Sequence, residues 1–441
     1  MLITLLMVGM TGREIWGRGY GRQTAFIFIG CLGLVVNAHT MMPAVSSLTG
    51  LATAFYALAL SKRRPYRAAA LLGAGLGVSF LSTGLLPVLI ILSTCALLPL
   101  LFAYWRTQQY FTILSVALLF ASPLLILWPL LAFSQSPELM QTWWQASANS
   151  FQARLHGYFL STLLWYAWPA LPLALWGVWR YRFQLFYQPK FQLMLLFFTM
   201  SLLLIGFSGE RKEVYALPLL LPLTALAGGS IETLKRGAAG ALNWFGLLLF
   251  GLLTFLIWLG WTAMLTGSPT KAKERLTYLS GIEKLDFSIV AFVSAMAITL
   301  IWLFAILRSQ HSNRSAATNW AIGMTCVWTL LMTLWLPLIE SARGYQAFFT
   351  SLKHALPNQY ACVNSLHLGG AQRDLLHYYT DIKTYRLETE QQLNCDLFLI
   401  QDDRGRSLET PGDGWKLIWD SKRNNGNVDR RERFRLYHHT N

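Results

Sequence analysis

The chain has 441 residues, of which 54% are hydrophobic and only 13% are charged, which excludes an ordinary water-soluble domain. Its net charge of +15 does not indicate nucleic-acid binding, because residues 340–441 nearly balance, with fourteen Lys/Arg against thirteen Asp/Glu. The excess lies in the hydrophobic part, where basic loops orient membrane helices and attract anionic lipids. We therefore expect membrane lipids, and no nucleic acid, as partners.

Runs of about 20 apolar residues predict membrane-spanning helices, since about 30 Å of hydrocarbon needs that length. Segment 1–10 is apolar but too short to cross alone, and it lacks the basic leader and cleavage site of a signal peptide. Shorter spans are predicted at 24–36 and 42–60. Nine clear candidates follow: 69–81, 85–104, 111–133, 158–179, 191–207, 216–226, 241–265, 287–307 and 319–338. The predicted fold class is an α-helical polytopic membrane protein with about 10–12 transmembrane helices and a small C-terminal α/β domain.

Alternate loops differ in charge, which predicts the orientation of the helices. Loops 37–41, 82–84, 134–157, 208–214 and 267–286 hold seven Lys/Arg together. The other set holds fifteen: Arg13, Arg18, Arg22, Lys62, Arg63, Arg64, Arg67, Arg106, Arg180, Arg182, Lys190, Lys235, Arg236, Arg308 and Arg314. The richer set is expected to be cytoplasmic. The C-terminal region then lies outside, which in a bacterium is the periplasm.

Residues 340–441 predict a small α/β domain that follows a membrane domain of residues 1–339. Alternating and β-branched stretches predict strands at 360–364, 383–387 and 396–400, with two more at 415–419 and 434–437. Helical spacing at 374–379 places a helix after the first strand. The Gly369-Gly370 pair before that helix fits a plain turn better than a phosphate-binding turn.

The five cysteines divide into two groups. Cys31, Cys95 and Cys326 fall in hydrophobic spans and are predicted to be small buried packing residues. Cys362 and Cys395 fall at strand starts of the exported domain, where a disulfide and a pair of free thiols are both open interpretations. No CxxC pair and no His/Cys ligand spacing predicts a metal site.

The most informative stretch is residues 209–220, with the sequence GERKEVYALPLL. Its charges stand between two runs predicted to be membrane-embedded, where they are costly unless they serve a ligand. Arg211, Lys212 and Tyr215 are the predicted donor phosphate-binding residues, because a cationic pair and a hydroxyl suit a phosphate whose tail lies in the lipid. The plainer interpretation is a solvated loop whose charges end a helix.

Other polar residues on the predicted outer face are candidates for a substrate cavity: His39, Asn149, Arg154, His156 and Glu210. Trp143 and Trp144, in the long outer loop, form an amphipathic stretch suited to lie on the membrane. His39 lies in a short outer turn, where a hydrogen-bonded side chain is the plainer interpretation. No Asp or Glu occurs between Glu14 and Glu138, so an acid that acts as a base on the outer face must come from later in the chain.

In this order of features the chain resembles the C-type glycosyltransferases, and within them the protein O-mannosyltransferase and lipid A aminoarabinose transferase group (family 39-like). One set of residues that carries the resemblance is the Lys-x-x-Tyr-x-Leu-Pro pattern of residues 212–218. A second is formed by Trp168-Pro169 and Leu171-Pro172, and segment 12–18 resembles the family's cytoplasmic turn between spans two and three. The resemblance covers essentially the whole chain from that turn onward.

The resemblance implies a transfer reaction in the bacterial inner membrane. A polyprenyl-phosphate-linked sugar would be the donor, and an envelope lipid such as lipid A, a glycan or a protein at the periplasmic face would be the acceptor. The acceptor would attack directly with inversion, activated by a carboxylate. Lys212, with Arg211 and Tyr215, would hold the departing phosphate, since fixed cations stabilise charge that develops there. No cofactor is required by the pattern, and a divalent metal is compatible with it.

Two departures from the family pattern bear on activity. The family's essential Asp lies in the first outer loop, and this sequence begins after that loop and its preceding span, so the catalytic residue is unassigned. Relatives often have Lys before the Gly of segment 81–84, where Thr83 offers no positive charge. We expect a start placed too late, with an upstream frame that encodes one span and an Asp-bearing loop. A truncated gene product and an inactive relative are the alternatives.

Two other classes of function are compatible with the sequence. A polytopic lipid or solute transporter usually contains repeated halves with broken helices near the bilayer midplane, and this chain shows no internal repeat. A non-catalytic envelope assembly protein fits the missing Asp.

Overall fold

A computed structural model of the chain describes residues 1–149, 157–208, 212–309, 312–357, 359–387, 395–402, 412, 414–423 and 432–439. The chain divides into two compact units. The first unit comprises Met1–Leu253 and Ile298–Trp328, and the second comprises Thr254–Ala297 and Thr329–Asn441.

The N-terminal half of the described chain is built from α-helices, joined in places by short 3-10 or π turns. The helices are α1 (Leu2–Trp16), α2 (Tyr20–Ile29), α3 (Leu32–Asn37), α4 (Pro43–Leu60), α5 (Pro65–Thr83), α6 (Leu85–Leu101), α7 (Gln108–Ser122), α8 (Trp128–Gln135), α9 (Pro137–Asn149), α10 (Tyr158–Tyr166), α11 (Ala170–Arg180), α12 (Pro189–Gly206) and α13 (Leu220–Ser230). The longest, α14 (Arg236–Thr266), follows. The remaining helices before the sheet are α15 (Thr270–Ser280), α16 (Ile289–Leu307), α17 (Asn313–Leu334), α18 (Leu336–Arg343) and α19 (Gln346–Ala355).

Among the described residues, six helices are long and apolar enough to cross a membrane, and two bent pairs raise the number to eight. Each predicted span is found as a helix or a helix pair, so the polytopic fold class is confirmed. Fewer helices meet this requirement of length and hydropathy than the 10–12 expected, because several helices are short or broken. The apolar helix α6 has only 17 residues, and α10 and α11 meet at a bend of 100° beside Trp168-Pro169.

The N-terminal segment is more helical than predicted. Helix α1 continues past the apolar run to Trp16, so the turn expected at 12–18 is confined to its last residues. Glu14 lies within the helix, and both its carboxylate oxygens accept hydrogen bonds from Arg63. The chain reverses at Gly17 and Gly19, whose φ angles of 100° and 94° are accessible to glycine without strain.

Helices α4 and α5 pack unusually closely, because glycine faces glycine at their crossing. A Cβ on Gly50 would lie 2.8 Å from the Gly75 carbonyl oxygen, and one on Gly75 would lie 2.7 Å from the Gly50 carbonyl oxygen. Small residues allow this backbone contact in membranes, where helix association depends on van der Waals packing. The pairing fixes the end of α5 beside the beginning of α4.

The second unit ends in a mixed five-stranded sheet with the strand order β2-β1-β3-β5-β4. The elements are β1 (Val363–Leu366), α20 (Gly370–Thr380), β2 (Thr384–Arg386), β3 (Leu397–Asp402), β4 (Trp415–Arg423) and β5 (Glu432–His439). Strand β1 pairs in parallel with β2 and β3, and the later pairs are antiparallel. All five predicted strands and the predicted helix are found, and the Gly369-Gly370 pair begins α20.

Two sets of side chains stabilise this sheet. A disulfide joins Cys362 to Cys395, the residues that precede the paired strands β1 and β3. Arg435 is 5% exposed and donates hydrogen bonds to both carboxylate oxygens of Asp402 and to the Tyr437 hydroxyl, each at 2.7 Å. Hydrogen bonding to Asp402 raises the pKa of the Arg435 guanidinium above its usual value. The other three cysteines are buried, as predicted.

Candidate functional site

The charged stretch singled out in the sequence leads into a short helix inside the first unit. Residues Glu213–Leu219 form a 3-10 helix that packs against α3, α4, α10 and α12. Its apolar side chains from Val214 to Leu219 are buried, whereas Lys212 just before it is exposed. Pro218 lies in this segment and supplies no N–H, and the 3-10 helix continues directly into α13. The segment therefore connects a charged surface residue to the interior of the helical unit.

An open cleft of about 320 Å³ borders this 3-10 helix. Its walls come from α4, the α5–α6 junction, α12 and the 3-10 helix, which contribute Ala44, Ser47, Leu51, Thr83, Leu86, Pro87, Ile90, Ile205, Val214, Tyr215 and Pro218. Tyr215 and Pro218 thus lie on a cleft wall, as do residues from segments more than 100 positions away.

Three hydroxyl groups are the polar side chains of the cleft, on Ser47, Thr83 and Tyr215. The Thr83 hydroxyl donates a hydrogen bond of 3.0 Å to the Ser47 hydroxyl oxygen. The rest of the lining is aliphatic, which suits a ligand that combines an apolar chain with one polar head. Hydroxyl groups can donate to phosphate oxygens. The cleft therefore combines neutral hydroxyl groups with aliphatic walls, and Lys212 lies three residues before Tyr215.

Thr83, the position described above as a departure from the resembled family's pattern, lies on this same cleft. Thr83 ends α5, and the chain turns at Gly84, whose φ of 78° suits glycine. A side chain at residue 83 and the side chain of Tyr215 therefore share one cavity. Sequence spacing alone did not indicate this neighbourhood, because 132 residues separate the two positions.

Helix α9 approaches the same junction from the predicted outer loop. A Cβ on Gly84 would lie 3.3 Å from the Trp143 ring, which leaves this ring in contact with the turn after α5. Trp143 also packs edge-on against Phe80, with ring centroids 5.9 Å apart. Its neighbour Trp144 is 57% exposed. The two tryptophans therefore differ, because one packs against α5 whereas the other faces outward.

His39 lies in a second polar group of the first unit. Its Nδ1 is 2.8 Å from the Val35 carbonyl oxygen, and Trp328 Nε1 donates to His39 Nε2 at 3.1 Å. Because Nε2 accepts a hydrogen bond, this arrangement fits the neutral imidazole with its proton on Nδ1. Nearby, Asn37 Nδ2 donates to the Tyr166 hydroxyl at 3.2 Å. His39 is hydrogen-bonded, and it does not line the cleft that contains Tyr215.

The structure describes little of the remaining predicted site residues. Arg154, His156, Glu210 and Arg211 lie outside the described residues, and Asn149 ends α9 with its side chain outside the description. Ser47 and Pro87 line the cleft but were not predicted, since neither belongs to a recognisable motif. Within the described ranges, no three His, Cys, Asp or Glu side chains come together as a metal site would require.

Comparison with known proteins identifies a fold. No protein-family profile and no curated protein sequence matches the chain. Solved structures do match, and two of them are structures of ArnT from Cupriavidus metallidurans, one bound to undecaprenyl phosphate and one in the apo state. Both have a TM-score of 0.61, with 13% and 14% identity over 99% of this chain and 82% and 81% of theirs. The chain therefore has an ArnT-like polytopic fold, which confirms at the level of fold the resemblance found in the sequence.

Proposed function

We propose that this protein is a membrane glycosyltransferase that takes a sugar from a polyprenyl-phosphate donor and passes it to an acceptor at the outer face of the bacterial inner membrane. The observation that carries this proposal is the cleft that Thr83, Tyr215 and Pro218 line together. The cationic residues 211 and 212 come directly before the segment that contains Tyr215 and Pro218. The fold supports it, because an ArnT with the same fold was crystallised with undecaprenyl phosphate.

The proposed reaction breaks the bond between the sugar C1 and the phosphate oxygen and forms a bond between C1 and an acceptor oxygen. The leaving group is the polyprenyl phosphate, on which negative charge increases. Lys212 and Arg211 stabilise that charge, and the Tyr215 hydroxyl donates to a phosphate oxygen. The aliphatic walls of the cleft receive the first part of the lipid chain.

The acceptor must also lose a proton. A carboxylate near the cleft is the simplest base, and Glu213 is the acid that begins the 3-10 helix carrying Tyr215. We propose Glu213 as the first residue to test for this role, because it lies two residues before Tyr215 in the same 3-10 helix. Residues 340–441 form the proposed periplasmic domain, whose disulfide fits an oxidising compartment.

The test is a pair of double variants of the full-length protein. Arg211→Ala with Lys212→Ala should abolish binding of undecaprenyl phosphate and sugar transfer. The matched control, Lys235→Ala with Arg236→Ala, removes the same charge at a loop predicted to be cytoplasmic, and it should leave both unchanged. Binding is measured by native mass spectrometry, and transfer by mass spectrometry of envelope glycolipids and glycoproteins with and without the gene.

The outcomes separate the classes of function. If both double variants bind and transfer as the wild type does, the donor-phosphate site is placed wrongly. If the wild type binds undecaprenyl phosphate but the gene changes no glycolipid or glycoprotein, the protein is a non-catalytic binder or transporter. Glu213→Gln should reduce transfer while it leaves binding of undecaprenyl phosphate within about twofold, because the residue is proposed to act on the acceptor.

A further inference from the structure

We propose that the first unit carries a second phosphate site, for the headgroup of an anionic phospholipid, centred on Lys62 at the predicted cytoplasmic end. The site is a cleft of about 250 Å³ where the chain after α4 meets the beginning of α7. Ser61, Lys62, Tyr104, Thr107 and Gln109 line it. None of them lines the donor cleft, so this proposal does not depend on the glycosyltransferase activity.

Lys62 is held in position by a neutral partner. Its ammonium lies 3.6 Å from the centroid of the Tyr104 ring, within cation–π distance. An aromatic ring orients a cation without cancelling its charge, unlike a carboxylate. Across the described part of the chain, no carboxylate forms an ion pair with Lys62. The geometry therefore keeps a full positive charge at the mouth of the cleft.

The surrounding charges are also positive. Lys62, Arg63, Arg64 and Arg106 lie in the two loops beside the cleft, and Arg67 lies in the first turn of α5. The sequence contains no acid from residue 15 to residue 137, and the acid just before this range, residue 14, is paired with Arg63. Such a basic surface attracts the anionic lipids of a cytoplasmic leaflet, at about 1 kcal/mol per basic residue.

Two of these arginines already have structural partners. Arg63 pairs with Glu14, and Arg106 donates to the carbonyl oxygens of Pro99 and Leu100 at 2.7 and 2.8 Å, which satisfies the end of α6. Neither arginine lines the cleft, whereas Lys62 does. The structure therefore separates the basic residue at the cleft from those that stabilise the fold.

Several polar groups that line the cleft are held by hydrogen bonds. Gln109 Nε2 donates to the Ser61 carbonyl oxygen at 3.4 Å. The Thr107 hydroxyl oxygen accepts from the Tyr110 backbone N–H at 3.2 Å, which leaves the hydroxyl hydrogen able to donate. Tyr110 is fixed below, because its hydroxyl donates to the Cys95 carbonyl oxygen at 2.9 Å.

Apolar surface beside the cleft distinguishes a lipid from a free phosphate ion. Leu100 and Leu101 are 66% and 57% exposed at the end of α6, and Phe111 is 51% exposed in the first turns of α7. The apolar segment Gln108–Gln135 runs from α7 to α8, and only 11% of its most hydrophobic 18-residue stretch is buried. Acyl chains can follow these side chains away from a phosphate held at Lys62. This continuity of polar cleft and apolar face favours a phospholipid.

The test uses full-length protein in detergent and native mass spectrometry, with phosphatidylglycerol and phosphatidylcholine as the added lipids. The wild type should retain phosphatidylglycerol in preference to phosphatidylcholine. Lys62→Gln should weaken phosphatidylglycerol binding about fivefold, the effect of one basic residue at a membrane surface. Lys62→Arg should stay within about twofold, and so should the control Lys235→Gln, which removes the same charge from another predicted cytoplasmic loop.

Three results would overturn the proposal. Equal losses of phosphatidylglycerol affinity in Lys62→Gln and Lys235→Gln would mean that basic loops attract the lipid without a specific site. Displacement of the lipid by millimolar inorganic phosphate would assign the cleft to a free anion. Should Lys62→Gln fail to fold, Tyr104→Leu takes its place, and an undiminished preference for phosphatidylglycerol in that variant would refute the role of the cleft.

Discussion

Replacing Thr83 by lysine should strengthen binding of undecaprenyl phosphate. Thr83 lines the same cleft as Tyr215, so a longer side chain there would extend toward the proposed phosphate position. A hydrogen bond to a charged group contributes about 1.5–3 kcal/mol. Ordering one flexible side chain costs about 0.5–1.5 kcal/mol. The net gain is roughly 1–1.5 kcal/mol, which corresponds to a dissociation constant about 5- to 12-fold lower.

The assay is a titration of the purified protein with undecaprenyl phosphate, followed by native mass spectrometry. Thr83→Met is the matched control, because it adds length without charge. Undecaprenol, which lacks the phosphate, is the matched ligand, and Thr83→Lys should not strengthen its binding. Loss of the hydrogen bond from Thr83 to Ser47 should lower the stability of both variants by a similar amount, about 0.5–1.5 kcal/mol. Equal affinity of the Lys and Met variants for undecaprenyl phosphate would refute the placement of the phosphate in this cleft.

The structure leads to three further predictions. Gly75→Ala should destabilise the protein by about 1–3 kcal/mol in thermal unfolding, because its Cβ would lie 2.7 Å from a backbone oxygen. Gly240→Ala should not destabilise it, because a Cβ there would have nothing within 4 Å. Equal losses of stability in the two variants would contradict the close packing of α4 and α5. Asp402→Ala should destabilise the sheet by about 1.5–3 kcal/mol, because it removes the carboxylate that accepts two hydrogen bonds from the buried Arg435. Asp420→Ala, at a more exposed pair, should cost less than about 1 kcal/mol. Limited proteolysis of the sheet region compares the two, and similar rates would count against the difference in burial. Alkaline phosphatase fused after residue 441 should be active in a bacterium and inactive when fused within loop 61–64, since the enzyme needs its disulfides. The reverse pattern would invert the proposed topology.

The sequence predicts the helices and the sheet well because hydrophobic length and alternation determine both locally. The strands around residues 397 and 434 follow from short runs of apolar and β-branched residues. The extent of α1 did not follow from hydrophobicity, since its last turns include the charged residues Arg13 and Glu14, and Glu14 pairs with Arg63, 49 positions away. Hydrophobic runs predict the length of a helix, but they do not predict which side of the helix faces its neighbours.

The candidate site could be predicted only in part, for the same reason. Tyr215 and Pro218 were identified from their motif, and the structure places both on a cleft wall. Ser47 belongs to no motif, and it reaches the cleft because glycines 50 and 75 allow α4 and α5 to approach closely. Contacts between spans depend on which small residues face each other, and one sequence does not show this.

The covalent link between Cys362 and Cys395 has a practical consequence for anyone who handles the protein. The two cysteines enclose 32 intervening residues, among them α20 and β2. A protease that cuts once within this segment produces two fragments that remain joined, and the roots of both parallel strands stay attached to each other. A nicked preparation would therefore migrate as a full-length chain on a gel without reductant, and it would separate into two bands when dithiothreitol is added.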